Sequence, residues 1–208
     1  MNHYKILFIT LGRTGSTNLC KGISKIHSLE LLDEPFNKSN EKLFDYYFSK
    51  IKNSKSIIVK HIISQTPKKN EKYTDFIQEL IQHFDFVVTL GRKNTKEHYE
   101  SLCNLRYKNE NNQNSFTKYQ YKSIPESFKS YYESILTIEK LEKYHSIVES
   151  ISDEHKIPKL YYEDLYSNSI DENYKKIQSI LPFLSEKIKK YLDSQNKFRV
   201  DFLKKTTI

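Results

Sequence analysis

Residues Tyr4 to Gly22, YKILFITLGRTGSTNLCKG, decide how the rest of the chain is read. Lys5 to Leu11 is rich in Ile, Leu and Phe and has the length of a strand. It stops at Gly12-Arg13-Thr14-Gly15, and a helix-compatible stretch opens at Ser16. Strand, glycine turn, hydroxyl residues and helix, in that order, aim several backbone N–H groups and a helix N-terminus at one small volume. Such a volume favours an anion, because the first N–H groups of a helix lack partners and the macrodipole is positive there. Arg13 adds a full charge with five donors, and Ser16 and Thr17 add hydroxyls. The stretch therefore reads as a cradle for a phosphate-type group, built from Gly12, Arg13, Thr14, Gly15, Ser16 and Thr17. An ordinary strand-to-helix turn uses glycines in the same way, and this loop alone does not separate the two readings.

The chain holds only four glycines in 208 residues, at positions 12, 15, 22 and 91. Three fall in this loop and its helix, and the fourth precedes Arg92 at the end of another strand-like run. A chain so sparing with glycine spends it where positive φ or close backbone approach is required.

Further along, strands are expected at Leu29–Leu32, Ser56–Ile63 (SIIVKHII), Phe86–Leu90 and Ile157–Tyr162. Helices are expected at Ser16–Ile26, Lys42–Ile51, Tyr73–Phe84, Thr95–Leu105 and Ser185–Leu192. Asn94 with Glu97, and Ser169 with Glu172, have capping-box spacing. Pro125 suits the first turn of one long helix carrying Phe128, Tyr131, Ile135, Ile138, Leu141, His145, Val148 and Ile151 on a stripe. On that stripe His145 reads as a core or boundary residue, not a ligand. Tyr107 to Ser123 is polar and Asn-rich, a lid or a plain connection. Lys197 to Ile208 is a basic tail.

Alternating strands and helices imply an α/β protein: a three-layer α/β/α domain over residues 1–208, with a mostly parallel sheet of four to five strands. Ligands of such sheets bind at the carboxyl ends of the strands. Arg13, Glu34, Lys60 with His61, Arg92, and Tyr162 with Glu163 all fall there. Pro35 biases Glu34 to an extended conformation and ends regular structure, so a carboxylate is held at the end of a short element.

The formal charge is +8, but the lysines are scattered; an anionic ligand fits and nucleic acid is not required. Cys20 and Cys103 lie far apart without metal-ligand spacing and read as reduced thiols of a cytoplasmic protein. No apolar run reaches membrane-spanning length, and no signal-peptide layout precedes the first strand. The first loop lacks the lysine and spacing of G-x-x-x-x-G-K-[ST], and Gly91-Arg92 stands where a P-loop enzyme usually places a metal-binding carboxylate. Two anion sites suggest a nucleotide with phosphate at both ends, and no metal is expected.

These motifs resemble the sulfotransferases that use 3′-phosphoadenosine 5′-phosphosulfate (PAPS), with closest motif likeness to small bacterial and viral-type members. LGRTGSTNL resembles the loop that binds the 5′-phosphosulfate. GRKNTKEHYESL resembles the segment holding the 3′-phosphate through an Arg and a Ser, here Arg92 and Ser101, nine apart where eight is common. LYYEDL resembles the segment whose Tyr, here Tyr162, lies near the adenine. DEPFN is similar to the element of a bacterial branch in which the Glu, here Glu34, is the base. VKHI is similar to the Lys and His element of the cytosolic branch, without the residue that separates the two there; Glu34 is accordingly favoured over His61. Phe198-Arg199 is a faint counterpart of a C-terminal donor contact. The resemblance implies a P-loop NTPase-like form of the fold and an in-line transfer of a sulfuryl group to a hydroxyl of a carbohydrate, small alcohol, phenol or tyrosine. In it Arg13 and Lys60 would offset charge at the reacting centre. A kinase-like phosphotransferase and a non-catalytic nucleotide-binding protein of the same fold stay open as alternatives.

Overall fold

The computed structural model describes residues 3–37, 42–65, 73–111, 121–166 and 169–193. The basic tail with Arg199 lies outside them. Five strands, β1 (Lys5–Thr10), β2 (Glu30–Asp33), β3 (Ile57–Ile62), β4 (Phe86–Gly91) and β5 (Lys159–Tyr161), form one sheet in the order β2-β3-β1-β4-β5. Every pairing is parallel. β1 is central, pairing Leu7 with Val59 of β3 and with Val87 of β4.

The central strands are apolar on both faces, as a sheet covered on two sides requires. Ile6 and Phe8 of β1 join one core with Leu19, Cys20 and Ile23 of α1 (Ser16–His27), Leu165 of α7 (Tyr162–Tyr166) and Ile177 of α8 (Ile170–Ile180). Leu7, Ile9 and Leu11 join the other. That core takes in α2 (Phe44–Asn53), α3 (Tyr73–Ile81), α4 (Thr95–Glu110), α5 (Glu126–Ile135) and α6 (Ile138–Glu154). The three-layer α/β/α architecture is thus present, with five strands. Among the described residues no helix is long and apolar enough to cross a membrane. Both cysteines are free and buried.

Caps set several boundaries. The Asn94 side chain accepts from the Glu97 N–H at the start of α4, and Ser169 with Glu172 forms the reciprocal box that opens α8. Three expectations are corrected. α4 does not end at Leu105 but continues to Glu110, which makes the first residues of the expected polar loop helical; residues 112–120 of that loop lie outside the described ones. The long helix after Pro125 is two helices, because Leu136 is extended and the Thr137 side chain caps α6 by accepting from the Lys140 N–H. The break re-phases the stripe and leaves Tyr131, Ile135 and Ile138 exposed by 46, 41 and 38%. The last strand is only three residues, and Tyr162 starts a helix instead of ending the strand.

Candidate functional site at the strand carboxyl ends

β1 delivers the chain into the turn Gly12–Gly15. Arg13 there has φ 63° and Gly15 φ 77°, both in the left-handed region. A side chain at Gly15 would be strained by that φ, and its Cβ would also lie 2.4 Å from Cε2 of Tyr166. The Tyr166 hydroxyl donates to the Gly15 carbonyl at 3.2 Å, so the turn is braced from α7. Gly15 caps α1 by position but supplies no side-chain acceptor, and no acidic residue stands in the first turn. Gly15, Ser16, Thr17 and Asn18 line a cavity of about 650 Å³ together with Arg13, Glu34 and Lys60. The opening amides of a twelve-residue helix thus face a cavity without a side-chain cap, the arrangement that favours an anion.

Not every hydroxyl of the loop faces that space. Thr14 is fully buried, its Oγ1 donating to the Leu11 carbonyl and lying against Thr10 Oγ1. Its role is to hold the turn. Gly12 directs its carbonyl away, to the ring of His98, whose Nε2 donates to it. His98 Nδ1 then accepts from Nε2 of His145 at 2.9 Å. Burial holds His98 neutral, with its pKa down to about 4 despite the carbonyl contact that raises it.

The lysine that the loop itself lacks arrives from β3. Alternation sends Lys60 and His61 to opposite faces of the sheet. Lys60, 2% exposed, points toward α1, where its Nζ lies 2.7 Å from Thr17 Oγ1, 2.6 Å from Asp33 Oδ1 and 2.7 Å from Glu34 Oε1. An ammonium has three donors, and these oxygens match them. Burial pulls the Lys60 pKa down, but the two carboxylates outweigh it and hold the group above the ordinary lysine value. His61 turns into the other core, its ring 5.9 Å from Phe36 and 5.5 Å from Phe76. Burial depresses its pKa to about 3, and it does not line the cavity.

Glu34 does line the cavity. Its backbone is not extended, as the following Pro35 predicts, but left-handed, φ 58°, and its N–H donates to the Lys60 carbonyl at 2.9 Å. Gln65 Nε2 donates to Glu34 Oε2 at 2.9 Å. Phe36, 1% exposed and packed among Phe44, Phe48 and Phe76, anchors the DEPFN turn from behind.

A second arginine-bearing turn follows β4. Arg92 is 7% exposed, its guanidinium 4.2 Å from the Tyr162 ring centroid. Glu97 and Glu163 stand at ion-pair range, 3.6 and 3.8 Å, yet the Arg92 Nε donor has no hydrogen-bond partner among the described residues. Desolvation lowers the Arg92 pKa against the pull of Glu163 and Glu97, and desolvation followed by the Arg92 charge lowers that of Arg13. Ser101 is found with the first arginine: its Oγ accepts from Arg13 Nε at 3.2 Å. Helix α4, which begins beside Arg92, thereby reaches the first loop.

The structure brings Arg13, Ser16, Thr17, Glu34 and Lys60 to one cavity and leaves His61, Arg92 and Tyr162 outside its lining, Tyr162 packing near Gly15 and under Arg92. Sequence reasoning did not single out Asp33, Gln65, His98 or Tyr166. Tyr166 follows Tyr162 by one helical turn, which is a usable signal; His98 sits in a polar stretch of α4 with nothing local to mark its burial. Among the described residues no group of three or more His, Cys, Asp or Glu side chains is placed to hold a metal ion. No protein-family model matches the chain, and a comparison with curated proteins gives no match.

Proposed function

We propose that this chain is a sulfotransferase that moves a sulfuryl group from PAPS to an acceptor hydroxyl. The observation that carries the reading is the pair of arginines at the ends of adjacent strands. Arg13 sits at a helix N-terminus without a side-chain cap, and the Nε of buried Arg92, beside Tyr162, has no hydrogen-bond partner among the described residues. Two anion seats within mutual electrostatic reach fit one nucleotide carrying phosphate on both its 5′ and 3′ sides. Tyr162, stacked on Arg92, offers an aromatic face for the base.

In this reading Glu34 takes the proton of the acceptor hydroxyl. The acceptor oxygen forms a bond to sulfur as the bond from sulfur to the 5′-phosphate oxygen breaks in line, and the electron pair leaves with 3′-phosphoadenosine 5′-phosphate. Lys60 stands between the two ends of this path, in contact with both Thr17 and Glu34, and can exchange a carboxylate contact for the oxygen on which charge grows. Arg13 and the α1 amides hold the group in place, so positioning and charge neutralisation supply most of the rate.

The test is turnover with radiolabelled PAPS in the presence of EDTA. Glu34→Gln is expected to lower turnover by roughly a hundredfold or more while the affinity for 3′-phosphoadenosine 5′-phosphate stays unchanged. His61→Asn is expected to transfer at near-normal rate. Full turnover by Glu34→Gln would remove Glu34 as the base, and a requirement for added magnesium would favour phosphoryl transfer instead.

A further inference from the structure

The cavity extends well beyond the loop and Glu34. Its remaining walls are Leu102 and Leu105 of α4, Tyr132 and Leu136 at the end of α5, and Leu141 and Tyr144 of α6. Arg92 and Tyr162 do not line it. α4 begins beside Arg92, its Ser101 accepts from Arg13, and Leu105 lies four residues beyond Ser101, about 6 Å farther along the axis. A nucleotide spanning Arg13 and Arg92 therefore runs along α4 as far as Ser101 and leaves the arm beyond that turn free.

We propose that the arm is the acceptor pocket, and that it takes a hydroxyl carried on an apolar, ring-sized body, a phenol or comparable alcohol. This rests on the sulfotransferase reading for its chemistry but not for its binding. Glu34, Ser64 and Gln65 line the cavity at the reacting end; away from it the polar side chains of the lining are Arg106, Asn109, Lys140 and the two tyrosines. One hydroxyl is served at the reacting end. Between these groups the walls are four leucines and two tyrosine rings, and hydroxyls set against Leu102, Leu105, Leu136 and Leu141 would lose water without gaining partners. At the outer end Arg106 is engaged by Glu110, and Lys140 donates to the Ile135 carbonyl at 3.3 Å. The α5–α6 corner continues the apolar surface outward: Ile135 both lines the cavity and is exposed, next to exposed Tyr131 and Ile138. An apolar middle stretch leading to a carboxylate suits a small molecule reacting at a single position.

The experiment has a binding arm and a transfer arm, with 2-naphthol as the apolar probe and trehalose as the sugar. Methyl-labelled protein titrated with 2-naphthol, without donor, is expected to show shifts at Leu102, Leu105 and Leu136, and none with trehalose. With PAPS present, 2-naphthol is expected to be sulfated, and Leu105→Asn is expected to lower its kcat/KM by roughly tenfold or more. The affinity of that variant for 3′-phosphoadenosine 5′-phosphate should stay within about twofold, since Leu105 lies one helical turn beyond Ser101, the α4 residue that meets Arg13. Silent leucine methyls, or sulfation of trehalose in preference to 2-naphthol with no effect of Leu105→Asn, would overturn the pocket while leaving the donor reading intact. Naphthol shifts at these leucines in a protein that fails to bind the bisphosphate nucleotide would overturn the donor reading and leave the pocket standing.

Discussion

Two residues without glycine's freedom, Arg13 and Glu34, hold left-handed backbone conformations, and both face the cavity. The other two non-glycine examples, Ser28 and Lys156, follow the ends of α1 and α6, where such a φ is ordinary. Each left-handed side chain costs about 1–2 kcal/mol, and the surroundings that enforce it here are the braced turn, the Lys60 contacts and the Phe36 anchor. The buried histidines add a pH liability. His61 and His98 are held neutral with pKa values of about 3 and about 4, below the ordinary value near 6.5. The unfolded chain therefore binds protons that the folded chain refuses as pH falls below 6.5. Stability is intact above that pH and is lost on the way down to about 4, each group removing about 1.4 kcal/mol per pH unit. Urea unfolding at pH 7 and pH 5 should differ by roughly 2–4 kcal/mol, and His61→Leu should flatten the dependence by about half. An unchanged slope in His61→Leu would mean that His61 is not the neutral, desolvated group described.

Among the elements, α1 meets the helical stretch 187–193 through a glycine. A Cβ at Gly22 would come within 2.5 Å of Cδ1 and 2.6 Å of Cε1 of Tyr191. Gly22→Ala, which should stabilise an exposed helix, is expected instead to lower stability by about 1–3 kcal/mol through overpacking, read by chemical denaturation. A gain in stability would mean that the two helices do not approach this closely. The same elements mark how far the sequence could be read. Strand-length apolar runs and capping pairs placed β1, β3, β4, α1, α4 and α8 because these signals are local. The stripe after Pro125 continued smoothly across Leu136-Thr137, so only the resulting backbone reveals that Thr137 starts a new helix. Partner choice was also hidden: the resemblance sets Ser101 with Arg92, and only the packing of α4 on the first loop gives its hydroxyl to Arg13. Lys60 and His61 were adjacent candidates; strand alternation assigns them to opposite faces, and the aromatic cluster around Phe36 then claims the histidine.

Across the molecule, the order β2-β3-β1-β4-β5 places the central strand between neighbours reached by crossovers in opposite directions, which opens a crevice at the carboxyl ends. Arg13 after β1, Lys60 near the end of β3, Glu34 after β2 and Arg92 after β4 converge on it although they are spread over about eighty residues of sequence. The central claim is that one nucleotide is gripped at both ends by this convergence. Calorimetric titration of the protein with 3′-phosphoadenosine 5′-phosphate and with adenosine 5′-monophosphate, repeated on Arg13→Ala and Arg92→Ala, tests it most directly. The account predicts that the bisphosphate binds more tightly than the monophosphate, that each substitution weakens bisphosphate binding by roughly tenfold or more, and that Arg92→Ala erases most of the difference between the two ligands. Equal affinity for both nucleotides in the unaltered protein, or an Arg92→Ala variant that binds the bisphosphate as tightly, would contradict it.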